Sequence, residues 1–355
     1  MAWIGLGSLR KCITLIVIAM VVVFFASRAD AKRKDLVIMK NGDHLTGEVK
    51  KLESGVLYVD LDYVSGSIGV DWLQVERVQS TGGFQVELKN GDRVAGTISK
   101  VPEAEAPGKD FQVQSERRTV QTAAPEVINL ESSKRSIWRQ MSGSMDMGFS
   151  FTSGNSQKQL NANASAGYLT TRWSTNNTLT SSFSGQPGTS KTDLFEVQTL
   201  DQIFMGRNSF IGGLGDFLHS SQQDLTLRTT LGGGYGRYLI HTNQNLFALL
   251  GGAVYTHETF TSSTTQPSAQ NVEGLVGFAY QLFHFDRYNL QSQLMVFPGL
   301  SDTGRVRLTT KTTLTVKLVN NFHTDFSFWD NFDSSPPTGA KRNELGVSNT
   351  IGWTF

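Results

Sequence analysis

From about residue 139 to the end of the chain, side-chain polarity alternates with a period of two. Met145, Met147, Phe149 and Phe151 share one face of a segment whose other face carries Ser144, Asp146, Gly148 and Ser150. Further on, Val306, Leu308, Leu314, Val316 and Leu318 alternate with Arg305, Arg307, Thr309, Lys311, Thr313 and Lys317. A two-residue period belongs to strands and excludes helices. Such segments fall near 141–153, 158–170, 173–185, 193–206, 209–221, 225–239, 245–256, 271–283, 288–298, 305–318, 322–332 and 343–355. The expected fold of 139–355 is an all-β, antiparallel barrel of about twelve strands.

Alternation alone also fits a soluble sandwich. A membrane barrel inverts the sandwich, with apolar side chains facing lipid and polar ones the lumen. Connection lengths favour the barrel. Thr171-Arg172, Arg207-Asn208, Asp286-Arg287 and Asn320-Asn321 read as tight turns, and 241–244 is only slightly longer. They alternate with longer connections at 186–192, 257–270, 299–304 and 333–342. Short periplasmic turns and longer outer loops are the outer-membrane pattern, and an even strand count puts both barrel ends on the periplasmic side. Tyr168, Trp173, Phe210, Tyr288, Phe322, Trp353 and Phe355 gather at the tight-turn ends on the apolar face, as an interfacial girdle would. The terminal Phe355 completes an amphipathic strand of the kind read by the barrel-assembly machinery.

The N-terminus reads as a secretion signal. Arg10 and Lys11 precede an apolar run from Cys12 to Ala26, and Ala29-Asp30-Ala31 offers a small-x-small cleavage site. The run is shorter than the ~20 residues of a membrane span. Residues 1–31 are therefore expected to be removed, taking Cys12, the only cysteine, with them. The predicted location is the outer membrane of a Gram-negative cell, in contact with its lipid.

Between signal and barrel, Lys40-Asn41-Gly42-Asp43 returns as Lys89-Asn90-Gly91-Asp92. Each copy reads as strand, Asn-Gly turn, strand. With Val56-Leu57-Tyr58-Val59 and 68–72 as further strands, residues 35–100 are expected to form a small periplasmic β-domain of the SH3 or Sm type. Its ligand is not legible. Asp43 and Asp92 read as turn residues rather than metal ligands. Pro102, Pro107 and Pro125 mark 101–138 as a polar linker.

The formal net charge of +1 gives no case for a nucleic-acid partner. Sequence spacing offers no metal-ligand set, phosphate loop or nucleophile elbow. No cofactor and no enzymatic activity are expected. The one catalytic alternative is an esterase or phospholipase built on His219 and Ser221, two apart on one strand face. Twelve-stranded outer-membrane phospholipases use a similar His-x-Ser pair, but the flanking residues differ and no third partner stands out. His257-Glu258 reads as a solvated loop pair. Parity directs Asp146, Arg228, Glu273, Arg305, Arg307, Lys311, Lys317, Asp325 and Glu344 into the lumen. These charges either brace the barrel across its interior or line a narrow solute channel. About twelve strands lies between barrels filled by side chains and open porins. The number of charges able to pair favours the braced reading.

Three blocks also carry a resemblance. They are Ser142-Gly143-Ser144-Met145-Asp146-Met147-Gly148-Phe149 leading into 152–156, then 224–236 with its Gly232-Gly233-Gly234-Tyr235-Gly236 run, and Asp333-Ser334-Ser335-Pro336-Pro337 through Lys341-Arg342-Asn343-Glu344. Over roughly 138–355 the chain resembles the family of salt-induced outer-membrane proteins, whose function is unknown. The Asn-Gly-Asp domain resembles an N-terminal extension of some members. The resemblance implies a non-enzymatic barrel with an envelope structural or stress-related role, and supplies no catalytic residues.

Overall fold

The structure, a computed structural model, describes residues 34–64, 66–100, 110–116, 118–133, 141–152, 157–185, 191–261, 268–284, 287–319, 322–336 and 340–354. The expected signal segment and Phe355 lie outside the described residues.

The first β-unit is an internal duplication. Its first half runs β1 (Asp35–Met39), β2 (His44–Glu53), β3 (Val56–Asp60), β4 (Ser67–Asp71), a single 3-10 turn at Trp72–Gln74, and β5 (Val75–Gln79). The order returns as β6 (Gly83–Leu88), β7 (Arg93–Lys100), β8 (Phe111–Gln114), β9 (Thr119–Thr122), a 3-10 turn at Ala124–Glu126, and β10 (Val127–Ser132). In each half the last strand pairs antiparallel with the first, β5 with β1 and β10 with β6. Equivalent hydrogen bonds recur. Met39 N donates to Asp43 O at 2.9 Å and Leu88 N to Asp92 O at 2.8 Å, while Lys40 N donates to Gln74 O at 2.9 Å and Lys89 N to Glu126 O at 2.8 Å. The turn aspartates serve their turns. Asp43 N is capped by Asn41 Oδ1 at 3.0 Å and Asp92 N by Asn90 Oδ1 at 2.9 Å.

The repeat expected from the two Asn-Gly-Asp turns is present, but its boundary is not at residue 100. Part of the expected linker, 111–132, holds three strands of the second copy. Two of them are only four residues long, with Gln112, Gln114 and Gln121 on them. Such short, half-polar strands carry little periodicity. The halves join through pairing of β2 with β10 and through the buried Trp72, whose Nε1 donates to Ala124 O at 2.7 Å. Val37, Leu57, Phe84, Ile98 and Phe111 pack with Trp72 in one core spanning both halves. Burying each such side chain contributes about 1.5–3 kcal/mol.

The remaining strands are β11 (Met141–Thr152), β12 (Gln157–Leu169), β13 (Trp173–Gly185), β14 (Thr192–Gly206), β15 (Ser209–Ser220), β16 (Leu225–His241), β17 (Asn245–Phe260), β18 (Ser268–His284), β19 (Tyr288–Pro298), β20 (Val306–Val319), β21 (Phe322–Asp333) and β22 (Asn343–Thr354). Consecutive strands pair antiparallel, and β22 closes on β11 with Trp353 opposite Met145 and Ile351 opposite Met147. This is the expected twelve-stranded closed barrel. Arg207 and Asn208 both have positive φ, 51° and 60°, as a two-residue type I′ hairpin requires.

The barrel is inside out. Every strand presents a large apolar side chain outward, among them Met147, Leu160, Phe183, Ile203, Phe217, Leu231, Leu249, Val276, Tyr288, Leu318, Phe326 and Val347. Charged residues are buried within. Trp173, Tyr288, Phe322 and Trp353 are exposed at the tight-turn ends, and Tyr168 packs on Trp173 with ring centroids 5.3 Å apart. Phe210 is the exception to the expected girdle. It is only 3 % exposed and packs inside against Tyr238, at 5.0 Å between ring centroids. Its neighbour Ile211 takes the outward position, so the strand register is offset by one from that expected.

Candidate functional site

The lumen is crossed by side chains. Near the long-loop end, Arg228 Nε on β16 donates to Glu258 Oε1 on β17 at 2.7 Å. Arg305, just ahead of β20, holds Glu258 with both Nη atoms, at 2.8 and 2.9 Å, and Asp333 on β21 through Nε at 3.0 Å. Arg228 Nη2 reaches the same Asp333 at 3.4 Å. Arg307 pairs with Glu273, its Nε donating at 2.8 Å, and Thr256 donates to Glu273 at 2.6 Å. All six charged residues, Arg228, Glu258, Glu273, Arg305, Arg307 and Asp333, are buried. Ser220 on β15 donates to Glu344 on β22 at 2.5 Å. These two strands lie almost opposite in the ring.

Further in, Gln293 on β19 donates to Gln198 on β14 at 3.4 Å, and Lys311 on β20 to Thr180 on β13 at 3.1 Å. Both pairs also join nearly opposite strands. Leu214, Val254, Leu275, Met295 and Phe297 fill the interior beside them. Charge pairing and apolar packing both reach into the barrel's interior.

All nine charges assigned to the lumen by parity are described. Asp146, Arg228, Glu273, Arg305, Arg307 and Glu344 are buried there. Lys311, Lys317 and Asp325 are half-buried. Asp146 accepts from His323 Nε2 at 2.6 Å, and Asp325 lies 3.8 Å from the same nitrogen. Sequence reasoning missed Glu258, Asp333 and His323. The longest expected loop, 257–270, is shorter than supposed, because β17 continues to Phe260 and β18 begins at Ser268. His257 and Glu258 are therefore strand residues. Glu258 is a fully buried lumen acid rather than a rim residue. Extending the parity of Val254 and Thr256 by one step would have found it.

The tight-turn end is covered by the duplicated domain. Arg93 places its guanidinium carbon 3.2 Å from the Phe204 ring centroid and donates to Thr170 O at 3.3 Å. Arg93 also pairs with the buried Glu87, which lies 3.5 Å from His241 Nε2. Burial holds the Glu87 carboxyl above its ordinary range, with Arg93 offsetting only part of that cost. Asn208, in the β14–β15 turn, donates through Nδ2 to Lys89 O at 3.0 Å and meets His241 Nδ1 at 3.1 Å. Gly91 sits at φ +84° with its α-carbon facing Asn208, where a Cβ would overlap the Asn208 backbone nitrogen. Gly55 meets Asn243, in the β16–β17 turn, in a similar way. A polar cavity of about 190 Å³ remains at this junction, lined by Glu87, Arg93, Gln202, Tyr238, His241 and Asn243 among others.

His219 and Ser221 do not form a nucleophile–base pair. His219 directs Nδ1 to Thr226 O at 3.0 Å and Nε2 to Asp193 Oδ2 at 3.5 Å. Ser221 Oγ instead donates to Asp193 O at 3.2 Å and accepts from Asp193 N at 2.9 Å. Both residues meet Asp193, but through different groups. A general base would need a hydrogen bond to the serine itself.

The solved structures that this chain resembles include three barrels. One is the NanC porin, at 10 % identity and TM-score 0.38, covering 61 % of this chain and 98 % of that one. The translocator domain of autotransporter NalP from Neisseria meningitidis matches at 16 %, 0.35, 61 % and 86 % on the same measures. The beta domain of the Bordetella autotransporter Brka matches at 10 %, 0.29, 61 % and 97 %. At these scores the likenesses carry no argument about function. No curated protein matches the chain. Residues 145–355, more than half of the sequence, match DUF481, and the chain therefore belongs to this family, described as proteins of unknown function.

Proposed function

We propose that the protein is a non-enzymatic outer-membrane barrel with an envelope structural role, its duplicated domain covering the periplasmic mouth. The observation that carries this reading is the inversion of the barrel, with apolar side chains outside on every strand and paired charges in its interior. A soluble protein does not leave an apolar belt of that extent in water. Lipid satisfies it, and the closed ladder leaves no unpaired edge in hydrocarbon. The location follows from the barrel type, since strand barrels of this kind belong to outer membranes. The exterior then contacts lipid, and the amphipathic last strand would be read by the assembly machinery. A stress-related role rests on the resemblance to salt-induced outer-membrane proteins.

The cross-lumen bridges favour a structural barrel over a narrow channel. Opening a path would require separating Arg228, Arg305, Glu258 and Asp333, which satisfy one another in a buried cluster. Leaving such charges unpaired costs about 3–5 kcal/mol. Planar-bilayer recording of the purified full chain tests this directly. No stepwise conductance is expected, and steady single-channel steps would establish the channel alternative.

A further inference from the structure

At the seam where β22 closes on β11, the structure assigns a divalent-cation site to Asp146, His323 and Asp325. The three residues lie on β11 and β21, on either side of β22. One ligand atom from each falls within 4.8 Å of the others. His323 Nε2 is 2.6 Å from Asp146 Oδ1 and 3.8 Å from Asp325 Oδ2. Gly352 of β22 stands in register with both Asp146 and His323. A Cβ there would overlap the Asp146 carboxylate and crowd the imidazole at 2.5 Å. The two ligands converge over β22 only because this residue has no side chain.

Two further observations point to a ligand here. Asp325 Oδ1 is buried without a hydrogen-bond partner, and so is Thr350 Oγ1. Thr350 is 1 % exposed and stands opposite Asp325 in the β21–β22 ladder, on the same lumen-facing parity as Gly352. Orphaned buried oxygens are costly, and two adjoining ones beside a carboxylate–imidazole pair fit an ion better than an apolar filling. Lys311, a lumen cation that interacts with Asp325, directs its amine to Thr180 instead. His323 Nδ1 is 3.3 Å from Thr354 Oγ1, a contact able to hold the ring in the orientation that turns Nε2 toward the two carboxylates.

One imidazole and two carboxylates suit a borderline divalent transition ion such as Zn²⁺ better than Mg²⁺. At Zn–N and Zn–O lengths of about 2.0–2.2 Å, tetrahedral ligand atoms sit roughly 3.3 Å apart. The 2.6 Å pair must open and the 3.8 Å pair must close, each by well under an ångström, and the Asp146–Asp325 pair, within 4.8 Å, must close by at most about 1.5 Å. A bound ion would tie the first strand of the barrel to its penultimate strand across the last one.

The test is titration of the full chain, purified in detergent and stripped with chelator, with Zn²⁺ and separately with Mg²⁺. Wild type is expected to take up one Zn²⁺ that Mg²⁺ does not displace. His323→Gln and Asp325→Asn should each weaken it at least about ten-fold. Asp325 is outside the short Asp146–His323 contact, so Asp325→Asn keeps the test decisive if the histidine variant fails to close its barrel, as judged by heat-modifiable migration. Equal uptake by wild type and Asp325→Asn would overturn the site in favour of ions held elsewhere. Absence of Zn²⁺ uptake by wild type would leave only a seam ion pair.

Discussion

Arg305 grips Glu258 with two parallel hydrogen bonds, from Nη1 to Oε2 at 2.8 Å and from Nη2 to Oε1 at 2.9 Å. The pair spans the lumen between the loop after β19 and β17, and both side chains are buried. This fork-to-fork geometry is the strongest form of a carboxylate–guanidinium contact.

Glu258→Ala should therefore be among the most damaging single changes in the barrel. It leaves Asp333 as the one remaining carboxylate of the cluster facing both Arg228 and Arg305 in a buried site, and is expected to cost about 3–5 kcal/mol. Replacing Arg305 and Glu258 together by methionine should cost less than the single change, since neither buried charge of the pair then lacks its partner. The midpoint of heat-modifiable migration across the two variants reads the difference. A double variant weaker than Glu258→Ala would contradict a charge-compensation role.

Arg93 anchors the duplicated domain to the barrel mouth. Its guanidinium stacks on Phe204 and pairs with Glu87 in a buried junction. A desolvated cation–π contact is worth about 2 kcal/mol. Arg93→Ala should loosen the junction by roughly that amount, and Arg93→Lys should not restore it, because an ammonium neither stacks nor forks. Hydrogen exchange at the Asn208 turn is the readout. Unchanged protection there in Arg93→Ala would contradict the anchoring role.

The internal duplication supplies its own control. Gly42 and Gly91 occupy equivalent turns at φ +89° and +84°, but a Cβ on Gly42 meets nothing while one on Gly91 overlaps Asn208. Gly42→Ala should cost only the left-handed backbone penalty of about 1–2 kcal/mol. Gly91→Ala should cost that and also detach the turn from the barrel. Protease sensitivity of the junction should rise in the second variant alone.

How much of this was legible in the sequence depends on the range over which a residue's surroundings are set. The period of two placed the barrel strands because each strand solves its own lipid-against-lumen problem locally. The Asn-Gly-Asp turns revealed the duplication because that turn chemistry is local too. The partners of Arg305 were not legible. Glu258 and Asp333 belong to other strands, and only ring closure brings them to the same point. Phe210 misled because an aromatic at a strand end satisfies both the girdle and the interior reading, and the register of one hairpin decides between them. His323 and Asp146 are far apart in the chain, and no spacing rule joins them.

Glu87 makes a contribution of known sign to the pH dependence of the junction. Its carboxyl sits above its ordinary range because it is buried. The docked state therefore binds that proton more tightly than the unfolded chain does. The contribution is fully present below the ordinary carboxyl value, 4.5, and is lost as pH rises through the raised one. Docking measured by hydrogen exchange at the Asn208 turn should gain in wild type relative to Glu87→Gln as pH falls from neutral toward 4.5. A steeper trend in the variant would reverse the assigned sign.

The last prediction concerns orientation. Long connections and tight turns occupy opposite ends of the barrel, and the duplicated domain contacts the tight-turn end through Thr170, Asn208 and Asn243. If that end faces the periplasm, the connection between Phe260 and Ser268 faces outward. Its residues 262–267 lie outside the described set, but the strands flanking it fix the side on which it emerges. The Gly42 turn is the complementary site, exposed and free of any contact a Cβ would disturb. A tag inserted near Ser263 should bind antibody on intact cells, and one in the Gly42 turn should bind only after the outer membrane is permeabilised. The Gly42 turn cannot lie in hydrocarbon, where its backbone groups would lack hydrogen-bond partners. Labelling of the Gly42 tag alone on intact cells would invert the barrel. Labelling of neither, with both tags present in whole-cell extracts, would place the protein away from the cell surface.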